Sequence, residues 1–404
     1  MRKQAADLID IVIPVYRDAD LTRECLQSVL RSQDASLGLL HIINDASPEP
    51  EVAEFLESFA RHDGVNLIVH SENYGFVSSV NAGLEASAGR DVVILNSDAQ
   101  VPRGWLERLK AAAVAHPKAA SITPISNNAT ICSYPNFGVE NPLVDGMNLQ
   151  AVDELISKSN PGVTVEIPTG VGFCMFMRRA AIDEVGQFDV EAFGRGYGEE
   201  NDWCLRASAK GWHHLMCADL FVYHAGGVSF GDDFAAQQKK ALKVLSARYP
   251  NYERIIADFI ELDPAEPVRH SIDLDRARHG SSDQVLSEYR RRLLGERDAR
   301  YKLDKDRHQQ VQALDELLQD ARQHVVEEAQ RYEQILANVR AEAAQTDSKY
   351  AAQIEQMAQG YAELEAQTRE AEAQIRSLSE ALDSLNRNWL VRLYRWLLMR
   401  RNKI

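Results

Sequence analysis

The sequence predicts an α/β domain followed by a long α-helical coiled coil. Three observations carry this. Short β-branched runs alternate with amphipathic stretches as far as about residue 262, the segment Leu262-Asp-Pro-Ala-Glu-Pro267 breaks that alternation, and residues 282–388 contain no proline. The boundaries expected are 1–262 for the α/β domain, 263–305 for a linker with a helical segment, 306–388 for the coiled coil and 389–404 for a basic amphipathic tail helix.

Within the first region, Ile9–Val15, Leu39–Ile43, Asn66–His70 and Val92–Leu95 read as strands of a buried parallel sheet. Leu21–Gln33, Val52–His62 and Val77–Ala88 have helical spacing between them. Strand and helix in strict alternation imply right-handed crossovers, and ligands of such sheets sit at the carboxyl ends of the strands. In the second region Val311, Leu314, Leu318, Ala321 and Val325 step by three and four. The step slips near 342–349 and resumes from Tyr350 through Ile354, Met357, Tyr361, Leu364, Thr368, Ala371, Ile375, Leu378, Leu382 and Leu385 to Trp389. A charged single helix folding back on the domain is the plainer alternative. The tail NWLVRLYRWLLMRRNKI interleaves two tryptophans with arginines and has no acid, which suits an anionic membrane surface, a cap on the coiled coil or another subunit.

Composition narrows the function. The 404 residues suggest two or three domains at about 150 residues each. A net charge of −15, from 45 basic and 60 acidic residues, argues against a nucleic-acid binder. Apolar residues at 45% and charged residues at 26% fit a folded, water-exposed chain. Five scattered cysteines are no disulfide framework, and the N-terminus reads as no secretory signal. The expected location is the cytoplasm, with peripheral contact at the inner face of its membrane through the tail.

Four motifs fall in loops where the topology places chemistry. Asn44-Asp45-Ala46-Ser47 follows the second strand, and Asp45 can accept from a base or ribose, or start a helix. Asn73-Tyr74-Gly75-Phe76 opens a helix carrying Asn81 and Gly83, where glycine permits close approach of a ligand and the helix start favours an anion. Asn96-Ser97-Asp98 ends the fourth strand, and a carboxylate there is costly to desolvate without a cation such as Mg²⁺ or Mn²⁺. Glu199, Glu200 and Asp202 crowd three acids into four residues, which raises the pKa of at least one and suits a general base. A helix start opposes that rise. His224 ends a later apolar run and is a plausible ligand.

In order, IPVYRDADLTRECLQSVLRS, NDAS, NYGFVSSVNAGLEASAGRDVVILNSDAQVP, TGVGFCMFMRR, FDVEAFGRGYGEENDWCLRASAKG and FVYHAGG resemble the family 2 glycosyltransferases of GT-A fold over about residues 8–262. The subgroup they are most similar to builds bacterial O-antigen and other surface polysaccharides and includes rhamnosyltransferase-like members. The resemblance implies a Rossmann-like domain that transfers a sugar, with inversion, from a nucleotide-diphosphate sugar to an acceptor hydroxyl of a saccharide or lipid-linked saccharide. It implies that Pro14, Val15 and Tyr16 line the nucleotide site with Asp45 on the base, and that Asn73 and Gly75 lie near ribose and diphosphate. Thr169, Gly170 and Gly172 would shape the donor and acceptor cleft. Asn96, Ser97 and Asp98 replace the family's DxD motif, with Asp98 and His224 on the metal. Glu200 takes the catalytic-base position, supported by Asp202 and Arg206. Two departures matter. Asn96 removes one carboxylate from the metal site, and Glu200 is longer than the commoner Asp, so Glu199 or Asp202 could take the proton. The competing reading is a degenerate sugar-nucleotide binder acting as a scaffold that recruits an assembly complex. On either reading the coiled coil makes a homo-oligomer.

Overall fold

The structure, a computed structural model, describes residues 8–87, 89–226, 234–279, 322–341 and 351–401, with helical positions at 283, 286, 290 and 319. It divides into two units, Met1–Leu293 and Leu294–Ile404.

The first unit is built on one sheet. Strands β1 (Ile9–Val15), β2 (Leu37–Asn44), β3 (Val65–Val69) and β4 (Asp91–Leu95) lie parallel, joined by helices α1 (Ala19–Ser32), α2 (Pro50–Phe59) and α3 (Phe76–Ala86). The expected elements are present within three residues, the largest difference being the end of α2 at Phe59 where the sequence predicts His62; Ala88 lies outside the described residues. Beyond β4 come β5 (Ala99–Gln100), α4 (Trp105–Ala115), β6 (Ala119–Ile125), α5 (Leu149–Ser159), β7 (Thr164–Ile167), β8 (Cys174–Met177), α6 (Arg179–Val185), α7 (Val190–Phe193), α8 (Glu199–Ser208), β9 (His213–Phe221) and β10 (Tyr223–His224). Helices α9 (Phe234–Arg248), α10 (Tyr252–Leu262) and α11 (Glu266–His279) follow. The large sheet has the order β3-β2-β1-β4-β8-β6-β9-β7, and β5 pairs with β10 in a separate two-stranded piece.

The four strands expected to be parallel are parallel, and the strands beyond them make the sheet mixed. Strand β8 runs antiparallel to both β4 and β6, and β7 antiparallel to β9. A run such as Cys-Met-Phe-Met is apolar on both faces, and burial alone carries no information about strand direction.

Alternation along β1 assigns its side chains to the two core layers. Ile11 and Ile13 pack with α1 and α2, while Val12 faces α3. Gly83 makes that second contact possible, since a Cβ there would stand 2.3 Å from Val12 Cγ1. Its close approach is therefore to the sheet and not to a ligand.

Residues 263–279, expected as part of a linker, are built into this unit. Ala265, Val268 and Ile272 are buried in the larger core, and α11 lies against α5. Arg276 reaches Asp145 at 2.8 Å and the Tyr134 hydroxyl at 3.1 Å, while Tyr134 donates to Asp273 at 2.9 Å. The proline-bounded break in the sequence is thus a corner, and the buried polar face of α11 is satisfied by partners more than a hundred residues earlier in the chain.

In the second unit, residues 322–341 form a helix, α12, and Ala351–Arg401 another, α13. Along α13, Ile354, Met357, Tyr361, Leu364, Thr368 and Ile375 are half-buried among exposed neighbours, while Leu378 is exposed. Val311, Leu314, Leu318, Ala321 and Tyr350 lie outside the described residues, as do the side chains of the tail. No helix among the described residues is long and apolar enough to cross a membrane.

Candidate active-site cleft

Strand directions bring the expected motifs to one edge of the sheet. The carboxyl ends of β1, β2, β4, β6 and β9 meet the amino end of antiparallel β8 there. A cleft of about 990 Å³ opens at that edge. It is lined by Pro14, Val15, Tyr16, Asp45, Asn73, Gly75, Asn96, Ser97, Asp98, Gly172, Glu199, Glu200 and His224, all singled out in the sequence.

Asp45 organises one wall of the cleft. Its buried carboxylate accepts from His70 Nδ1 at 2.8 Å, Tyr74 N at 2.9 Å and Gly75 N at 2.8 Å. Two of the N–H groups that precede α3 are thereby taken by a side chain from the neighbouring strand. Gly75, at φ 87°, packs against the Arg195 backbone, whose Cα would stand 2.6 Å from an added Cβ. This glycine therefore serves contact with a second loop, and the Phe76 N–H donates to the Arg195 carbonyl at 3.1 Å.

The Asp98–His224 pair comes from strand pairing far apart in sequence. His224 of β10 sits opposite Ala99 of β5, which places its Nε2 3.4 Å from Asp98 Oδ1. Gly226 N–H donates to the other Asp98 oxygen at 3.0 Å. The ring is held from behind: Nδ1 meets the Asn128 carbonyl at 2.7 Å, Asn127 pairs with both backbone groups of His224, and Phe173 stacks at 5.1 Å. Burial works against charge on both side chains. Even so, the mutual contact holds the Asp98 carboxyl below its ordinary range and His224 above its own. Asn96 Nδ2 lies 3.5 Å from His224 Nε2, and its Oδ1 is buried with no partner. The Asp98 carboxylate and the His224 imidazole, held by its outer hydrogen bond, are donors of the kind a divalent cation takes, and Asn96 adjoins them through its Nδ2. Among the described residues, no group of three or more His, Cys, Asp and Glu side chains is so placed.

The acid cluster separates into two parts. Asp202, fully buried, pairs with Arg206 Nε at 2.8 Å and Arg248 Nη1 at 2.9 Å, and accepts from the Tyr249 hydroxyl. Arg206 spends its remaining donors on the Val185 and Gln187 carbonyls. Neither residue lines the cleft, so the expected supporting pair is a structural clamp on α8. Glu199 and Glu200 share a hydrogen bond instead. Burial, and then the charge of Glu200, push the Glu199 carboxyl well above its ordinary range. Burial also raises Glu200, against the N–H groups of Glu200 itself and Gly172 and the Glu199 hydrogen bond. Each keeps one buried oxygen without a partner.

Thr169 and Gly170 are buried but lie outside the cleft. The Gly170 N–H donates to Cys204 Sγ at 3.2 Å, and a Cβ there would press on Ser121 and Met175. The sequence reading missed Arg17, Phe76, Asn128, Thr130, Phe173, Arg195, Tyr197 and Gln237, which also line the cleft. A signal existed for Asn128: the apolar run Ala119–Ile125 is a strand, and the loop after it follows the same rule as the others.

A mixed α/β sheet with an acid-bearing cleft at its strand ends is the arrangement that the resemblance to glycosyltransferases of GT-A fold implies. Residues 10–186 match the family model for glycosyl transferase family 2. The glycosyltransferase AglE of Haloferax volcanii is 24% identical over 217 residues, 54% of this chain and 66% of that protein. The N-acetylglucosaminyl-diphospho-decaprenol L-rhamnosyltransferase of Mycobacterium tuberculosis is 25% identical over 277 residues, 61% of this chain and 87% of that protein. EpsJ of Bacillus subtilis, an uncharacterized glycosyltransferase, is 28% identical over 102 residues, and the chain spans only 29% of it. A solved structure described as GalNAc-T7 with UDP, GalNAc and Mn2+ superposes with TM-score 0.48 at 14% identity, covering 62% of this chain and 50% of that one.

Proposed function

We propose that the cleft transfers a sugar, with inversion, from a nucleotide-diphosphate donor to an acceptor hydroxyl in bacterial surface-polysaccharide assembly of the O-antigen kind. One observation carries this reading. Among three clustered acids, Asp202 takes both arginines, which leaves Glu199 and Glu200 in the cleft with no ion pair among the described residues. Both have raised proton affinity, Glu199 the more so, and Glu200, at the base position that the resemblance implies, is the one left to ionise. That is the state a general base needs. Glu200 takes the acceptor proton as the acceptor oxygen attacks the anomeric carbon on the face opposite the diphosphate. The new C–O bond forms as the bond to the diphosphate oxygen breaks, through an oxocarbenium-like transition state. Asp98 and His224 would hold Mg²⁺ or Mn²⁺, and such an ion would offset charge on the departing diphosphate. The name of the Mycobacterium relative supports a lipid-linked saccharide acceptor and, of the hexosyl and rhamnosyl donors expected, a rhamnosyl one.

The scaffold reading draws on Asn96, which stands where a second metal-binding carboxylate would be expected. In both readings the helices after residue 306 pair as a coiled coil into an oligomer, and the basic tail contacts the membrane or an assembly partner.

Thermal unfolding with UDP, dTDP, GDP and CMP and their sugars, each with and without Mn²⁺, tests the donor site. A ligand at a hundred times its dissociation constant stabilises by about 2.7 kcal/mol. A metal-dependent shift with one nucleotide class supports transfer, whereas none with any of them favours the scaffold.

A further inference from the structure

Helix α9 is electrostatically out of character with its chain. The protein carries a net charge of −15, yet Phe234–Arg248 holds Lys239, Lys240, Lys243 and Arg248 and no acid. Arg248 is accounted for by Asp189 and Asp202. The three lysines are exposed and enter no ion pair among the described residues. Between them Leu242 stands 45% exposed. Steps of three and four place Lys239, Leu242 and Lys243 on one face. The opposite face is sealed, because Ala241 and Leu245 are buried in the smaller core with Phe193 and Trp203.

The helix also adjoins the chemistry. Gln237 lines the cleft, and a Cβ on Gly198, the residue that precedes α8, would stand 3.2 Å from both Ala241 and Leu245. The sealed face of α9 therefore packs behind the turn that presents Glu199 and Glu200.

We propose that the outer face of α9 docks on an anionic lipid bilayer, which brings a membrane-borne acceptor beside the cleft that Gln237 lines. Lysines draw the face to the headgroups, and Leu242 supplies an apolar side chain to the interface. This is a different contact from the tail helix, and it rests on the proposed function only for the identity of what the membrane delivers.

Co-sedimentation of the full chain with phosphatidylglycerol/phosphatidylethanolamine vesicles, and with neutral phosphatidylcholine vesicles, tests it. Wild-type protein should bind the anionic vesicles, with affinity falling as salt rises. At about fivefold per basic residue, K239E/K240E/K243E should lose at least on the order of a hundredfold, and K239Q/K243Q roughly twenty-five-fold. Thermal unfolding and nucleotide-induced stabilisation should match the wild type in both variants. Unchanged anionic-vesicle affinity in the triple variant overturns the proposal and leaves membrane contact to the tail. Equal binding to neutral vesicles overturns it as well, as does loss of heparin binding with vesicle binding intact. If the vesicle result holds while no nucleotide or transfer response is found, the docking face stands and the transferase reading falls.

Discussion

Asp202 and Arg206 close an ion pair at 2.8 Å across one turn of α8, with Arg248 on the other oxygen at 2.9 Å. That clamp gives two neighbouring acids opposite duties. Asp202→Asn should cost about 2–3 kcal/mol of stability, a buried-pair penalty discounted because both arginines are partly exposed. Glu200→Gln should leave stability near wild type and cut transfer by roughly 10²–10⁴. Urea unfolding and initial rates measured together would separate them. Wild-type turnover in Glu200→Gln would remove it as the base.

Glu199 should make the stability of the folded domain fall as pH rises. Its folded pKa lies well above the ordinary 4.5, so above that pH the folded state holds a proton that the unfolded chain has released. Stability contributed by neutral Glu199 is present below pH 4.5 and is lost as pH rises towards the folded pKa. Glu199→Gln keeps a hydrogen-bond donor towards Glu200 and removes that titration. The variant should therefore gain on the wild type in melting temperature from pH 5 upwards. Parallel curves would show that Glu199 is not held neutral.

Replacing Asn96 by Asp should strengthen divalent-ion binding by about tenfold, by adding a carboxylate where Oδ1 is now orphaned. Asp98→Asn should abolish it. Isothermal titration with Mn²⁺ on both variants reads this without turnover. Unaltered affinity in both would place the ion elsewhere.

His214 acts at the acid end. Burial lowers its pKa from 6.5 to about 4, and its ring nitrogens are engaged by Ser121 at 2.7 Å and the Cys204 carbonyl at 2.9 Å. The unfolded chain takes up a proton below pH 6.5 and the folded one does not, so stability falls between pH 6.5 and 4, by about 3 kcal/mol at most. The slope should flatten in His214→Asn. Denaturant titrations of both proteins at pH 7 and 4.5 give the difference.

The elements and the site differed in how far they could be read from the chain. The strands from Ile9 to Leu95 were legible because β-branched runs bounded by Gly, Asn and Asp are local signals, and their loops carried Asp45, Asn73 and Asp98 to the cleft. The second half of the sheet was harder. Apolar β8 hides its direction, and β6 went unread, which left Asn127 and Asn128 unnoticed behind His224. The segment after Leu262 looked like a linker because Pro264 and Pro267 break the pattern. Only packing on α5 shows that Val268 and Ile272 belong to the core.

By itself the sequence determined the α/β class of the first region, the helical character of the second and the positions of the motif residues at strand ends, since each depends on neighbours within about a turn or a strand. Tertiary structure alone decided what the charged groups do. Asp202 is silenced by Arg248, 46 residues on, and Asp98 meets His224 through the pairing of β5 with β10. Whether an acid is a base, a metal ligand or a clamp depends on which opposite charge lies within a few ångströms, and distant segments supply that charge only after the chain has folded.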